Sequence, residues 1–355
     1  MISSTKPARQ MVLATRGSPL ARWQAERVSA LLGSVPGAPA VVLRAVVTTG
    51  DRRRDVTLGE LGGHGVFAKE VQQAVLSGEA DLAVHSAKDL PSDTPEGLVI
   101  ASVPERADPR DVLVGARLSG LPPGALVATG SPRRRAQLAW LRPDLRFTEV
   151  RGNIATRLGA LGTVDAVVVA KAAIDRLGLA GQVSEILSPS VMLPQVGQGA
   201  LAVECRVDDE WTAAWLRRID DADVHRAVDA ERSFLAAVGG GCRAPLGAWA
   251  TVEDQAPVEG EPRAERRQLR LQVMVASGDG HVVLRQEVAG DDPRVLGQAA
   301  RAALWQRCGA ATIELVDVSV GPAGAEPAGR EPAGRQPRGH APGGHAPGGH
   351  EPGGE

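Results

Sequence analysis

Twice in this chain an apolar run ends in a glycine that is followed by Ser-Pro and then by a stretch of helical character. The two places are Thr15-Arg16-Gly17-Ser18-Pro19 and Thr129-Gly130-Ser131-Pro132, the second continuing as Arg133-Arg134-Arg135. The preceding runs, Met11-Val12-Leu13-Ala14 and Ala125-Leu126-Val127-Ala128, read as strands. Serine then takes the N-cap and proline the first helical turn. Such a junction is an anion site, because free backbone N–H groups and the positive end of the helix dipole face whatever lies beyond the strand. Nearby arginines add bidentate donors suited to carboxylate or phosphate. Two copies of the junction imply two similar lobes, each offering one ligand-binding edge to a shared cleft.

With 355 residues, two or three domains are expected. A net charge of -2 argues against general nucleic-acid binding, so the arginine clusters serve a defined anionic ligand. Aromatic residues, at 3%, are too few for a base-stacking surface. The three cysteines are Cys205, Cys242 and Cys308, and the start, Met1-Ile2-Ser3-Ser4-Thr5-Lys6-Pro7, lacks the apolar core of a signal peptide. A cytoplasmic protein with reduced thiols is expected, and no apolar run approaches the length needed to cross a bilayer.

From about residue 11 to 225 short apolar runs alternate with amphipathic stretches, the α/β pattern of helices on mostly parallel sheets. Buried strands are predicted at Val41-Val42-Leu43, Asp81-Leu82-Ala83-Val84-His85, Leu98-Val99-Ile100 and Asp165-Ala166-Val167-Val168-Val169-Ala170, and helices after Ser18, Val66, Ser131 and Asn153. Arg106-Ala107-Asp108-Pro109-Arg110 reads as a crossing between lobes. Beyond residue 228 the pattern becomes a helix over 229–238, a loop Gly239-Gly240-Gly241-Cys242, strand-like runs at 246–252, 269–276 and 282–288, and a helix over 294–307. This describes a small α+β domain. After Val320 the chain turns to Pro-Ala-Gly and His-Ala-Pro-Gly-Gly repeats, read as a disordered tail; metal capture by His340, His345 and His350 is the alternative.

Four groups of residues have the chemistry for a site. Lys88-Asp89 follows the strand ending at His85, and catalytic groups in α/β folds gather at strand carboxyl ends. The pair is either a general acid/base with a cation stabiliser or a loop ion pair. Arg16, Arg133, Arg134, Arg151, Arg157 and Arg176 together suit a ligand with many carboxylates or phosphates, although any one alone reads as a solvated surface arginine. Cys242, after three glycines, is either a projecting reactive thiol or a small buried hydrophobe. The stretch Gly50-Asp51-Arg52-Arg53-Arg54-Asp55 to Gly62-Gly63-His64-Gly65-Val66-Phe67 is either a lid or an inert loop, and Phe67 either closes over a ring or joins the core.

Taken together these segments resemble the hydroxymethylbilane synthase, or porphobilinogen deaminase, family. The resemblance runs from about Met11 to Val320 through Ala14-Thr15-Arg16-Gly17-Ser18-Pro19-Leu20-Ala21, Ala83-Val84-His85-Ser86-Ala87-Lys88-Asp89-Leu90-Pro91, Val150-Arg151-Gly152-Asn153, Val196-Gly197-Gln198-Gly199-Ala200 and Gly240-Gly241-Cys242. It implies two domains similar to type II periplasmic binding proteins and a smaller C-terminal α+β domain carrying the cofactor cysteine. The implied partition is an N-terminal extension at 1–10, domain 1 at 11–106 and 203–224, domain 2 at 107–202, domain 3 at 225–320 and a tail at 321–355.

The resemblance further implies a dipyrromethane cofactor held covalently through Cys242, and porphobilinogen as the small-molecule substrate of a monomer that binds neither nucleic acid nor membrane and uses no metal. Asp89 would be catalytic. Lys88, Asp89, Thr129, Gly130, Ser131, Arg133, Arg134, Arg151 and Gly152 would hold the cofactor, with Thr129 and Gly130 offering backbone donors. Arg16, Ser18, Phe67, Arg157, Arg176 and Gln198 would hold substrate. Two departures stand out: the lid has Gly-Gly-His64-Gly where the family usually shows lysine, and the tail has no counterpart. The rival class is a non-catalytic anion-binding or effector protein, which needs neither Lys88-Asp89 nor a cysteine-bearing third domain.

Overall fold

At each of the two Ser-Pro junctions a buried strand hands over to a capped helix in the computed structural model, which describes residues 9–48, 68–239, 244–254 and 267–308. Strand β1 (Met11–Arg16) leads into helix α1 (Pro19–Gly33), where the Ser18 side chain accepts from the Ala21 N–H. There follow β2 (Val41–Val46), α2 (Lys69–Leu76), β3 (Leu82–Ser86), β4 (Leu98–Ser102) and β5 (Asp111–Val114). Strand β6 (Leu126–Ala128) meets α3 (Pro132–Leu141) at the second junction, with Ser131 accepting from the Arg134 N–H. Next come β7 (Arg146–Thr148), α4 (Ile154–Leu158), β8 (Ala166–Ala170), α5 (Lys171–Arg176), β9 (Val183–Ile186), β10 (Leu201–Arg206) and α6 (Glu210–Leu216). Helix α7 (Ala222–Val238), strands β11 (Leu246–Asp254), β12 (Arg267–Ala276) and β13 (Val283–Gly290), and helix α8 (Pro293–Cys308) complete the described chain.

The repeated junction reflects a repeated sheet. One has the order β2-β1-β3-β10-β4, the other β7-β6-β8-β5-β9. In both, the strand before the Ser-Pro turn pairs in parallel with two neighbours, and the fourth strand runs antiparallel to the third. Those antiparallel strands, β10 and β5, each come from the far side of the chain's crossing: β5 follows the first sheet's β4, and β10 follows the second sheet's β9. The crossing segments lie side by side, with Arg106 bridged to Ala200 and the Ala107 N–H donating to Gly199 O at 3.0 Å. A parallel strand fed by a capped helix places its carboxyl end beside the helix N-terminus, so both sheets present their anion-binding edges at corresponding positions.

The third sheet, β11-β12-β13, is antiparallel and packs against α7 and α8 through Phe234, Leu271, Val273, Leu296 and Leu304, all buried. Two predicted features differ in the structure. The run Val41-Val42-Leu43 forms a strand, but an edge strand with Val42 43% exposed, because β2 has a neighbour on one side only. The helix predicted over 229–238 starts at Ala222, where Asp221 caps it by accepting from the Asp223 and Val224 N–H groups.

One buried carboxylate joins the crossing to this third unit. Glu231 on α7, fully buried, accepts from Arg106 Nη1 at 2.6 Å, from the Gly197 N–H at 2.7 Å and from the Ala250 N–H of β11 at 2.8 Å. Gly197 and Gly199 let the crossing approach closely. Both have positive φ, a Cβ at Gly197 would stand 2.9 Å from the carbonyl carbon of Ala87, and one at Gly199 would collide with the carbonyl of Ala107. Replacing Glu231 by alanine strands the Arg106 charge and two backbone donors in the interior, so a loss of about 3–5 kcal/mol in unfolding free energy is expected from denaturant titration.

Candidate active site

Strand β3 ends in a single 3-10 turn, Ala87–Asp89, that projects two charged side chains past the sheet edge. Ala87 is buried, Lys88 half-buried and Asp89 exposed. The crossing holds this turn from behind: Gln195 Nε2 donates to Lys88 O at 3.2 Å, and Lys88 Nζ donates to Gln198 Oε1 at 3.4 Å. Burial pushes the Lys88 ammonium down to about 8; the Asp89 and Asp111 charges oppose the shift, and Arg134 and Arg157 add to it.

Opposite this turn, the N-terminus of α3 carries Arg133 and Arg134, both buried, around the buried carboxylate of Asp111 at the start of β5. Arg133 Nη1 donates to Asp111 Oδ2 at 2.8 Å and to Leu193 O at 2.6 Å. Arg134 donates to Asp111 Oδ1 from Nε at 3.0 Å and Nη2 at 2.8 Å, and from Nη1 to Val168 O. Gln198 Nε2 completes the set with a donation to Asp111 Oδ1 at 2.9 Å. Burial alone would raise the Asp111 carboxyl, but Arg133 and Arg134, with the bonds from Arg133 and Gln198, hold it well below the usual carboxylate range. Gln198 therefore couples Lys88 on one lobe to the Asp111 cluster on the other.

Arg133 keeps two buried nitrogens, Nε and Nη2, without a hydrogen-bond partner. Its side chain lines a crevice with Lys88, Ser131, Gln195, Leu235 and Ala244, where both lobes and the third unit meet. Buried guanidinium donors are costly to leave unpaired, so an anion is the fitting occupant. A pyrrole-linked carboxylate fits this donor set. Cys242 lies outside the described residues, but Ala244, two positions on, forms part of the wall.

The remaining arginines lie around the same edge. Arg151 and Glu149 form an exposed bidentate pair at 2.9 Å. Arg157 Nε donates to Gly152 O at 3.0 Å, and its guanidinium is shifted down by burial and by Arg134. Arg176 Nη2 donates to Gly199 O at 2.7 Å, its guanidinium lies 5.3 Å from the Trp23 ring of α1, and its buried Nε has no partner. Arg16 closes β1, and Ser18 is the α1 cap.

The expected backbone donor at Thr129 is corrected by the structure. Its N–H donates to Thr148 O at 2.9 Å, extending the β6–β7 ladder, while Thr129 Oγ1 accepts from the Ser131 N–H. Phe67 and His64 lie outside the described residues. Sequence reasoning did not single out Asp111, Gln195, Glu149 or Glu231. For Asp111 a signal existed, since a lone acid opening the apolar run Asp111-Val112-Leu113-Val114 needs buried cations once the strand is central.

The family described as "Porphobilinogen deaminase, dipyromethane cofactor binding domain" matches residues 11–214, and "Porphobilinogen deaminase, C-terminal domain" matches residues 225–306. The porphobilinogen deaminase of Brevibacillus brevis is 45% identical over 309 residues, covering 85% of this chain and 96% of that protein. That of Geobacillus kaustophilus is 44% identical over 320 residues, covering 88% and 99%, and that of Bacillus subtilis 42% identical over 300 residues, covering 83% and 92%. Among solved structures, a nutrient binding protein from Burkholderia cenocepacia bound to methionine is 13% identical with a TM-score of 0.37, over 63% of this chain and 94% of that one.

The lowered Lys88 ammonium gives a pH signature. Below about 8 it carries its charge, and as pH rises through that value the charge is lost and its attraction for a carboxylate with it. The value of kcat/KM, which reports the free enzyme, should fall across this range more steeply in the parent than in Lys88→Arg, whose charge persists. Superimposable profiles for parent and variant would remove Lys88 from anion binding.

Proposed function

The chain belongs to the porphobilinogen deaminase family, and from that premise we propose how its residues divide the work. The reaction is the stepwise head-to-tail condensation of four porphobilinogen molecules with release of ammonia, followed by hydrolytic release of the linear tetrapyrrole hydroxymethylbilane. The chain is thus a transferase of porphyrin and heme biosynthesis. Its dipyrromethane cofactor, when bound, supplies the primer on which the tetrapyrrole is built.

The observation that carries the assignment of residues is the Arg133 guanidinium, buried with two unpaired nitrogens in a crevice shared with Lys88 and Ser131. Cofactor carboxylates are received there by Arg133, Lys88 and the Ser131 turn, with Arg134 contributing its positive field while Asp111 holds it in place. Arg151 and the Gly152 turn extend this surface. Arg16, Ser18, Arg157 and Arg176 receive the acetate and propionate of incoming porphobilinogen, and Gln198 orients Lys88. Asp89, exposed at the sheet edge beside Lys88, balances the positive charge that develops on porphobilinogen as ammonia departs, and it takes part in removing the α-proton.

Cys242 is the attachment residue in this reading. The alternative thiol at Cys205 is fully buried in β10 and pushed up to about 11, chiefly by burial, which disfavours the thiolate that attachment requires. We place the domain boundaries at 11–106 with 203–224, 107–202 and 225–320. A net charge of -2 favours a small-molecule ligand over nucleic acid, and the chain is read as a cytoplasmic monomer.

Two measurements test these roles. Cys242→Ser should purify at the mass of the bare chain, and retention of the dipyrromethane mass in that variant, or its location on Cys205 or Cys308 in the parent, would overturn the attachment. Asp89→Asn should keep its circular dichroism spectrum and lose nearly all porphobilinogen consumption, because an amide cannot neutralise a developing cation. A loss of less than about tenfold, or roughly 1.4 kcal/mol of barrier, is too small for the assigned role.

A further inference from the structure

A carboxylate of the protein stands inside the arginine edge of the cleft. Glu149, just after β7, forms a bidentate pair with Arg151, Oε1 to Nε and Oε2 to Nη2 both at 2.9 Å, and the two side chains are 43% and 44% exposed. The same side chain lies against the second Ser-Pro turn. A Cβ placed on Gly130 would be 3.5 Å from Glu149 Cγ and 3.7 Å from its Oε1, and Gly130 immediately precedes the cap of α3. Its charge also reaches Arg157, where it opposes the downward shift caused by burial and Arg134. One carboxylate therefore pairs with Arg151, lies beside the turn that leads into α3 and acts on the charge of Arg157, the surroundings that suit a ligand carboxylate at this edge.

We propose that Glu149 is an internal stand-in for a ligand carboxylate: it occupies Arg151 until a carboxylate of the cofactor, or of the tetrapyrrole built on it, displaces it, and it re-forms the pair when that carboxylate moves on. The inference rests on the reading of Arg151 and Arg157 as carboxylate receivers. The exchange breaks one arginine–carboxylate pair as it makes another, and the displaced Glu149 carboxylate, 43% exposed, is taken up by water. Because the internal pair is solvent-exposed, its strength is small and displacement is easy. Glu149 thus sets how tightly Arg151 retains a ligand, lowering affinity at each addition in return for mobility of the chain through the cleft. A purely structural pair predicts none of this, since the backbone on either side is held independently by the Thr129–Thr148 bond and the Asn153 cap.

The test uses the holoenzyme with porphobilinogen. Glu149→Gln keeps the shape and removes the charge, so kcat/KM should rise about two- to fivefold, the equilibrium weight of an exposed ion pair. Intact-mass spectra after reaction with limiting porphobilinogen should shift toward heavier protein species, and Glu149→Asp, which keeps the charge, should lie nearer the parent. In an Arg151→Leu background the Glu149→Gln effect should shrink, because the hydrogen-bonded partner of the carboxylate is gone and only its longer-range attraction to Arg157 remains. An unchanged or lowered kcat/KM with an unchanged mass distribution would overturn the proposal, as would an undiminished effect in the Arg151→Leu background. If Arg151→Leu alone leaves kcat/KM and the mass distribution unaltered, the reading of Arg151 as a carboxylate receiver fails first, and the stand-in falls with it.

Discussion

Two arginines do not share a protein interior without a counter-charge, and in this molecule Asp111 provides it. Its carboxylate receives Arg133, Arg134 and Gln198 in one buried cluster, with Leu193 O and Val168 O taking further guanidinium donors. The cluster is a compromise in energy. Burying three ions is costly, and the mutual attraction repays the cost only when geometry is good and hydrogen bonds are satisfied. Here Arg134 is satisfied, whereas Arg133 retains two unpaired nitrogens. The local charge exceeds what Asp111 neutralises, and Arg133 also lines the crevice. An anion site of this kind needs no basic surface, which is why a chain of net charge -2 can hold a polyanionic ligand.

The cluster would have no function if the lobes were free to drift. Gln198 ties Asp111 of the second sheet to Lys88 of the first, and Glu231 ties the same crossing to α7 and β11. The glycines of the crossing permit both contacts, since side chains at Gly197 and Gly199 would push the segment away from Ala87 and Ala107. The result joins three sheets through polar bonds together with small apolar clusters, Val228 of α7 packing with Ala87 and Val103, and Met274 of β12 with Ala136 and Leu193. Each sheet retains its own apolar cluster, such as Leu13, Leu82 and Val203 in the first and Val127, Val168 and Leu138 in the second.

The chemistry is divided along the same lines. Deeply placed Arg133 and Arg134 are fixed by the fold, Arg157 is part-buried, and Arg151 lies at the open edge with a partner that water can replace. The lowered Lys88 ammonium lies between these regimes, buried enough to lose stability as a cation and close enough to Asp89 to recover part of it. The gradient from fixed to exchangeable positive charge follows from burial alone, which sets how strongly each ion pair is screened.

Much of this was legible in the residues themselves. The Ser-Pro turns determined both strand-to-helix junctions, because a serine cap followed by proline has few alternatives, and apolar runs such as 166–170 determined central strands. Lys88-Asp89 and the arginines were legible as candidates, since charged residues gathered after strands stand at the edge where ligands bind in α/β sheets. Short elements such as β5, β7 and β9 were not, having three or four residues each and no periodicity that separates them from loops. What only the tertiary structure decided is which charges face each other. Asp111 lies 22 residues from Arg133 and Glu231 lies 125 from Arg106. Local sequence sets backbone preference and capping over a few positions, whereas the partner of a buried ion is chosen by whichever distant group the folded chain brings within hydrogen-bond reach.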